Sequence, residues 1–293
     1  MKLFVKNLTH VDFSLFDIER GLLGESWQTD VLLEGNLNDE SMVCDFSIVK
    51  KLIKKWLDEN IDHCLAIPHL SPAISMDTAD VAKHVFEFDK AGPRHFYCAG
   101  PKQSFCLLPM AQIDPEAVAR WCEDQIMGVL PADLARVHIT FTPERIQGAQ
   151  YQYSHGLKKH DGNCQRIAHG HRSTIDIFKD GVKAVDLEQD WAKRWHDIYI
   201  GTEEDLIGII SENGQRFHHF AYESQQGHFE LIVNSKQAYM IGTDSTVESL
   251  SSHIAQVLAN ENPGHEIVVH AYEGIGKGAI STKITPLTNE TRA

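Results

Sequence analysis

The predicted elements of this chain run through one order, break near Pro143, and begin the same order again from Gln150. In the first pass, strand-like segments Leu3 to Leu8 and Trp27 to Leu33 flank a loop. From Phe46 to Leu57, apolar residues at Val49, Leu52, Ile53, Trp56 and Leu57 follow the spacing of one helix face, with Asp45 placed as the N-cap. Short apolar runs come next at Val85 to Phe88 and Phe105 to Leu108. Asp114-Pro115-Glu116 then opens a second helix with its cap and first-turn proline in favoured positions, and Val137 to Phe141 closes the half as a strand. The second pass reads strand Gln150 to His155, a glycine-containing loop and strand His169 to Phe178. A helical stretch follows around Trp191, then strands Phe217 to Tyr222 and Phe229 to Val233, a helix from Thr246 to Leu258, and strand Ile267 to Tyr272. Two β-β-α-β-β-α-β units with helices on one side of antiparallel sheets make α+β the expected class. No low-complexity linker separates them, so domains of 1–145 and 146–293 are expected, in a chain whose 293 residues suit two cores of about 100 to 200 residues each.

Charge narrows the partners. With 27 Lys plus Arg against 41 Asp plus Glu, the net charge of −14 opposes nucleic acid and anionic lipid. It leaves room for an anionic small molecule, because a metal or a local basic cluster reverses the field inside one pocket. No run approaches the roughly 18 to 20 apolar residues of a spanning helix, and Met1-Lys2-Leu3-Phe4-Val5-Lys6 is too short an apolar patch for a signal peptide. A soluble, cytoplasmic protein is expected, and its six cysteines, which show no Cys-x-x-Cys pair, read as reduced thiols.

The chemistry concentrates at the start of the second half. His169 and His171 stand at i, i+2, which on a strand puts both imidazoles on one face. The segment ending at His155 is placed as the antiparallel neighbour, so a third imidazole converges on that face. Three neutral nitrogens and an open fourth position describe a catalytic zinc site. A lone His-Gly-His among 17 histidines carries little; the third histidine and the intervening thiol are what raise it. His160, His218 and His219 lack the geometry and read as surface or loop histidines. Cys164, five residues before His169 and beside Arg166, is the candidate nucleophile or base, against the reading of an inert buried thiol. A zinc hydrolase would need a Glu or His base nearby, and nothing there supplies one as clearly as Cys164 supplies a thiol.

Ser154-His155, a loop with Cys164, and His169-Gly170-His171 leading into a strand resemble the zinc motif of the 6-pyruvoyl tetrahydropterin synthase and 6-carboxytetrahydropterin synthase family. Met42-Val43-Cys44-Asp45-Phe46, an amphipathic helix and Asp62-His63 resemble the stretch in which that family's Asp-His pair assists the catalytic cysteine. Ser245-Thr246-Val247-Glu248 and Tyr272-Glu273 resemble its pterin-contacting segments. The resemblance implies two tandem tunnelling-fold (T-fold) domains, a bound Zn2+, and a homo-oligomer in which sheets join edge to edge. It also implies complementary losses. The first copy reads Leu23-Gly24-Glu25 where His-Gly-His belongs, and the second has only Trp195-His196-Asp197, reversed in order and without a preceding helix, in place of the Asp-His pair. A composite site follows, with metal and thiol from one half and Asp62-His63 from the other, within one chain or across subunits.

The expected substrate is a pterin triphosphate, 7,8-dihydroneopterin triphosphate. The expected product is 6-carboxytetrahydropterin on the route to queuosine; 6-pyruvoyl tetrahydropterin, or a non-catalytic pterin- or metal-binding role, are the alternatives. In this reading Cys164 moves a proton beside the zinc held by His155, His169 and His171. His63, oriented by Asp62 and titrating near neutrality, sets the thiol's protonation. Glu273 accepts the amino-pyrimidine edge of the pterin, with Thr246 and Glu248 beside it. Ser245-x-x-Glu248 doubles as a capping box. Arg166, with Lys158 and Lys159, is the candidate receiver of the triphosphate.

Overall fold

A computed structural model describes residues 1–80 and 82–287. The first half opens with two long antiparallel strands, β1 (Lys2–Asp17) and β2 (Gly21–Gly35). The expected loop between two short strands is therefore absent. Asp12, Ser14, Glu25 and Ser26 interrupt the apolar pattern, yet all four are buried. Alternation sends Val11, Phe13 and Leu15 into the core of the first half and leaves Asp12 and Ser14 on the opposite face, where they meet the second half.

The half continues with α1 (Phe46–Asn60), β3 (Leu65–Pro68), β4 (Ile74–Asp77), β5 (Lys83–Phe88), β6 (Phe96–Pro101), β7 (Phe105–Leu108), α2 (Pro115–Ile126) and β8 (Leu134–Pro143). Asp45 caps α1 by accepting from the Ser47 amide at 2.7 Å, and Asp114 caps α2 by accepting from Ala117 at 2.9 Å, as expected. Val49, Ile53 and Leu57 are the buried stripe of α1, each contributing about 1.5–3 kcal/mol by leaving water. The second half holds β9 (Gln150–His155), β10 (His169–Lys179), β11 (Val182–Lys183), α3 (Val185–Arg194), β12 (Ile198–Thr202), β13 (Leu206–Glu212), β14 (Gln215–Ser224), β15 (Gly227–Asn234), β16 (Ala238–Ile241), α4 (Val247–Glu261), β17 (Glu266–Tyr272) and β18 (Gly278–Ile284). Each half thus carries more strands than the seven-element reading. Pieces such as β3 and β4, four residues each, are too short for a period-2 pattern to register.

The halves repeat one another. One sheet runs β7-β3-β1-β2-β8 and another β16-β12-β9-β10-β17, extended by β18. Their hairpins are antiparallel, while β3 and β7, like β12 and β16, join in parallel. β11 adds to the second sheet by pairing with β10, and the other six strands form a third sheet, β13-β14-β15-β6-β5-β4, in which three strands of each half meet edge to edge through β15 and β6. The class is α+β, as two tandem units of the same layout.

Each half has a core between its own sheet and its two helices. A third core joins Phe16, Leu22 and Phe86 of the first half to Ile167, Phe220 and Phe229 of the second. The halves also approach tightly where Gly24 Cα faces Gly170: a Cβ on Gly170 would stand 2.7 Å from Gly24 Cα. Beside this contact Ser14 Oγ and Ser154 Oγ, which occupy equivalent places in the two hairpins, are 2.6 Å apart. Among the described residues no helix is long and apolar enough to cross a membrane.

Candidate active site

β9 and β10 pair with His155 directly opposite His169, and His171 lies two residues further along the same face. The three rings converge. Centroids are 4.3 Å apart for His155 and His169, 5.4 Å for His155 and His171, and 5.8 Å for His169 and His171, and one nitrogen from each falls within 4.8 Å of the others. All three are buried. His155 Nδ1 lies 3.1 Å from the Ser245 carbonyl and His169 Nδ1 3.0 Å from the Arg166 carbonyl, contacts that fix those nitrogens as donors and leave each Nε2 as the free lone pair. Both Nε2 atoms, and both ring nitrogens of His171, are buried without a hydrogen-bond partner. Burial, reinforced by the neighbouring imidazoles, holds His155 and His169 well below the usual histidine range. Neutral rings with orphaned nitrogens are what a divalent cation requires, so the residues present fit a metal.

The first half completes the centre. Asp62 and His63 follow α1, and His63 Nδ1 is 2.6 Å from Asp62 Oδ2. The His63 ring lies 5.2 Å from that of His169, and His63, Cys164 and His169 bring ligand atoms within 4.8 Å of one another. The Asp-His pair therefore meets the thiol and the histidine cluster within one chain. Burial pulls the His63 pKa down, but the hydrogen bond to Asp62 and the adjacent Cys164 outweigh it and push it up to about 10, not the near-neutral value expected. His63 is thus an imidazolium at neutral pH, a cation beside the thiol. Its φ of 58° places it in the left-handed region, and its amide donates to the Asp12 carbonyl at 2.7 Å.

The other expected site residues divide. Glu273, just past the end of β17, holds its carboxylate 3.8 Å from His171 Nε2. Thr246, rather than Ser245, is the N-cap of α4, accepting from the Ser249 amide, while the Ser245 hydroxyl lies 3.0 Å from His155 Nδ1. The proposed capping box is thereby replaced, and Glu248 sits exposed in the first turn. Arg166 is buried, with Nη1 3.0 Å from Cys64 Sγ and 3.4 Å from the Asp62 carbonyl and Nε 3.2 Å from Gln226 Oε1; it braces the Cys164 loop against the first half and does not face solvent. Lys158 pairs with Glu204 and Asp205, and Lys159 with Glu204 and Asp244. His218 and His219 lie on β14, half-buried, and His219 Nε2 meets Glu230 at 2.6 Å, so neither is a loop residue.

Sequence reasoning missed Asp12, Cys64 and Arg20. Strand alternation from Val11 to Leu15 was the signal that would have turned Asp12 toward the second half. Asp12 Oδ1 lies 3.5 Å from His171 Nδ1, 2.5 Å from Ser26 Oγ, and Lys277 Nζ is 3.4 Å from Oδ2. Burial works against its charge, but His171, Lys277 and the Ser26 hydroxyl hold the carboxyl well below the usual range.

The equivalent place in the first half is wired alike and filled differently. Gly24 pairs with Ser14 as Gly170 pairs with Ser154, so Leu15, Leu23 and Glu25 stand where His155, His169 and His171 do, and Gln152 stands where Asp12 does. Leu65 and Tyr199 hold the matching place beside those serines, which makes Asp197, φ 55°, the counterpart of His63. The helical stretch expected around Trp191 is α3, and it ends directly before Trp195-His196-Asp197, so that segment does follow a helix and the expectation that it lacks one is corrected. Here Arg20 makes two bonds to Asp197, at 2.9 and 2.7 Å, and one to Gln152 Oε1 at 2.7 Å. Gln152 Nε2 donates to Glu25 Oε1 at 2.7 Å, and Trp27 Nε1 donates to Glu25 Oε2 at 3.0 Å. This site is closed by a satisfied polar network. Glu25→Gln would set an amide donor against one of those donors, so we expect it to cost about 1–3 kcal/mol in urea unfolding; a change within about 0.5 kcal/mol would count against the network.

No family model matches the chain. One stretch of 47 residues is 40% identical to the 6-carboxy-5,6,7,8-tetrahydropterin synthase of Rickettsia conorii and 38% identical to that of Rickettsia felis. The chain resembles the pterin synthases. That stretch is 16% of this chain and 34% of each relative, so the chain spans about a third of the length of the curated relatives it matches. Among solved structures, the 6-pyruvoyl tetrahydropterin synthase of Plasmodium vivax aligns with 50% of this chain and 93% of its own at 17% identity and a TM-score of 0.41. That of Plasmodium falciparum covers 49% and 98% at 14% identity and 0.37.

Proposed function

We propose that the chain is a metal-dependent lyase acting on 7,8-dihydroneopterin triphosphate and forming 6-carboxytetrahydropterin, with release of acetaldehyde and triphosphate. The observation that carries this reading is the convergence of three buried imidazoles, each with an orphaned nitrogen, one of which, His169, also meets the Cys164 thiol and His63 of the other half. In it, residues 146–293 form the unit that binds metal and residues 1–145 the unit that lends the Asp-His pair. His155, His169 and His171 would hold the cation, and an all-imidazole set with an open position suits zinc. Such an ion, when bound, polarises substrate oxygens. Cys164 takes the proton from the substrate side chain, and His63, kept cationic by Asp62, stabilises the thiolate before transfer and returns a proton after it. Glu273 accepts the N–H donors of the pterin edge. A homo-oligomer in the cytoplasm completes the proposal.

The test is turnover of 7,8-dihydroneopterin triphosphate with chromatography of products, on protein as purified and after chelation. We expect a carboxylated pterin from the first, loss of activity in the second, and recovery on adding Zn2+. A metal-containing preparation that yields only 6-pyruvoyl tetrahydropterin would reassign the product; one that yields nothing would leave a binding protein.

A further inference from the structure

We infer that Asp12, carried by the half that supplies no metal ligand, is the positioning residue that fixes the ring of His171 for metal binding and ties the Asp62-His63 pair to it. The inference rests on the metal-binding reading above. His155 and His169 each direct Nδ1 at a backbone carbonyl, which commits Nε2 to the cation. His171 has no such carbonyl; the Asp12 carboxylate occupies that place, 3.5 Å from Nδ1 and buried. A carboxylate behind a ligating imidazole holds its tautomer and orientation and raises its basicity.

The same residue reaches the proton-handling pair through its main chain. Its amide donates to Asp62 Oδ1 at 2.8 Å and its carbonyl accepts from the His63 amide at 2.7 Å. Ser26 and Lys277 supply the remaining partners of the carboxylate, so the charge is compensated without solvent. The crossing contact belongs to the fold rather than to chance. Gln152, in the equivalent place, makes the same reach in the opposite sense, to Glu25. Only at the Asp12 end does the contact join a carboxylate to an imidazole.

The test compares the full-length chain with Asp12→Asn, Asp12→Ala, Gln152→Ala and His169→Ala, reading Zn2+ affinity by competition with a chromophoric chelator and the thermal midpoint of each metal-free protein. Asp12→Ala should weaken Zn2+ binding roughly tenfold to a hundredfold and Asp12→Asn less, since its side-chain oxygen still accepts, while Gln152→Ala stays within about threefold of the parent. Equal midpoints for metal-free Asp12→Ala and Gln152→Ala would exclude a folding cause. Affinity unchanged in Asp12→Ala but lost in His169→Ala would overturn the role of Asp12 and leave the metal site standing. A parent chain that binds no Zn2+, or His169→Ala binding like the parent, would remove both. Should Asp12→Ala fail to fold, nitrogen-15 imidazole spectra of the zinc-loaded parent decide: His171 protonated at Nδ1 supports the assignment, and protonated at Nε2 ends it.

Discussion

Replacing Cys164 with alanine should lower turnover of 7,8-dihydroneopterin triphosphate by roughly a hundredfold to ten-thousandfold, the span that a positioned acid or base contributes. Metal content should not change, because His155, His169 and His171 approach one another without the sulfur. The loop should also keep its place. Arg166 holds it to Cys64, the Asp62 carbonyl and Gln226 through contacts that do not involve Cys164. Steady-state kinetics beside metal analysis on one preparation checks this. Turnover within about threefold of the parent would remove Cys164 from the chemistry.

Gly24→Ala should be severely destabilising. A Cβ there would collide with the Tyr153 carbonyl oxygen and lie 2.5 Å from the His171 amide nitrogen, backbone atoms of the two strands that carry the histidines. No flexible side chain can yield, so one half must move away from the other. We expect a loss above about 4 kcal/mol, or no soluble folded protein, against a shift within about 0.5 kcal/mol for Gly128→Ala, where nothing stands within 4 Å. Denaturant unfolding of the two variants is the measurement, and similar values would show that the contact between halves is loose.

What the sequence made legible follows from which signals are local. Helix caps and stripes are local, and Asp45, Asp114 and the Val49-Ile53-Leu57 face appear as read. His-Gly-His on a strand is also local, and the partner strand puts His155 opposite His169. What was hidden depends on the meeting of the halves. Asp12 and Ser14 look like loop residues because their polarity suits water, yet they are buried against the other half, where each finds a partner. Arg166 looks like a phosphate-binding loop cation until Cys64 and Gln226, remote in sequence, are seen to enclose it. The titration of His63 was misjudged for the same reason, since the balance of burial against Asp62 and Cys164 exists only once both halves are folded together.

The edge-to-edge join of β15 to β6 and the shared third core have a consequence for how the protein behaves at low concentration. Two separate modules would fall apart on dilution and take their common centre with them. Here the covalent link holds one module in the other's presence at an effective concentration of the order of millimolar, whatever the number of molecules in the tube. The pairing of thiol, imidazoles and Asp-His pair is then a unimolecular property of each chain, one centre per polypeptide, and the proposed activity per chain should not fade as the protein is diluted.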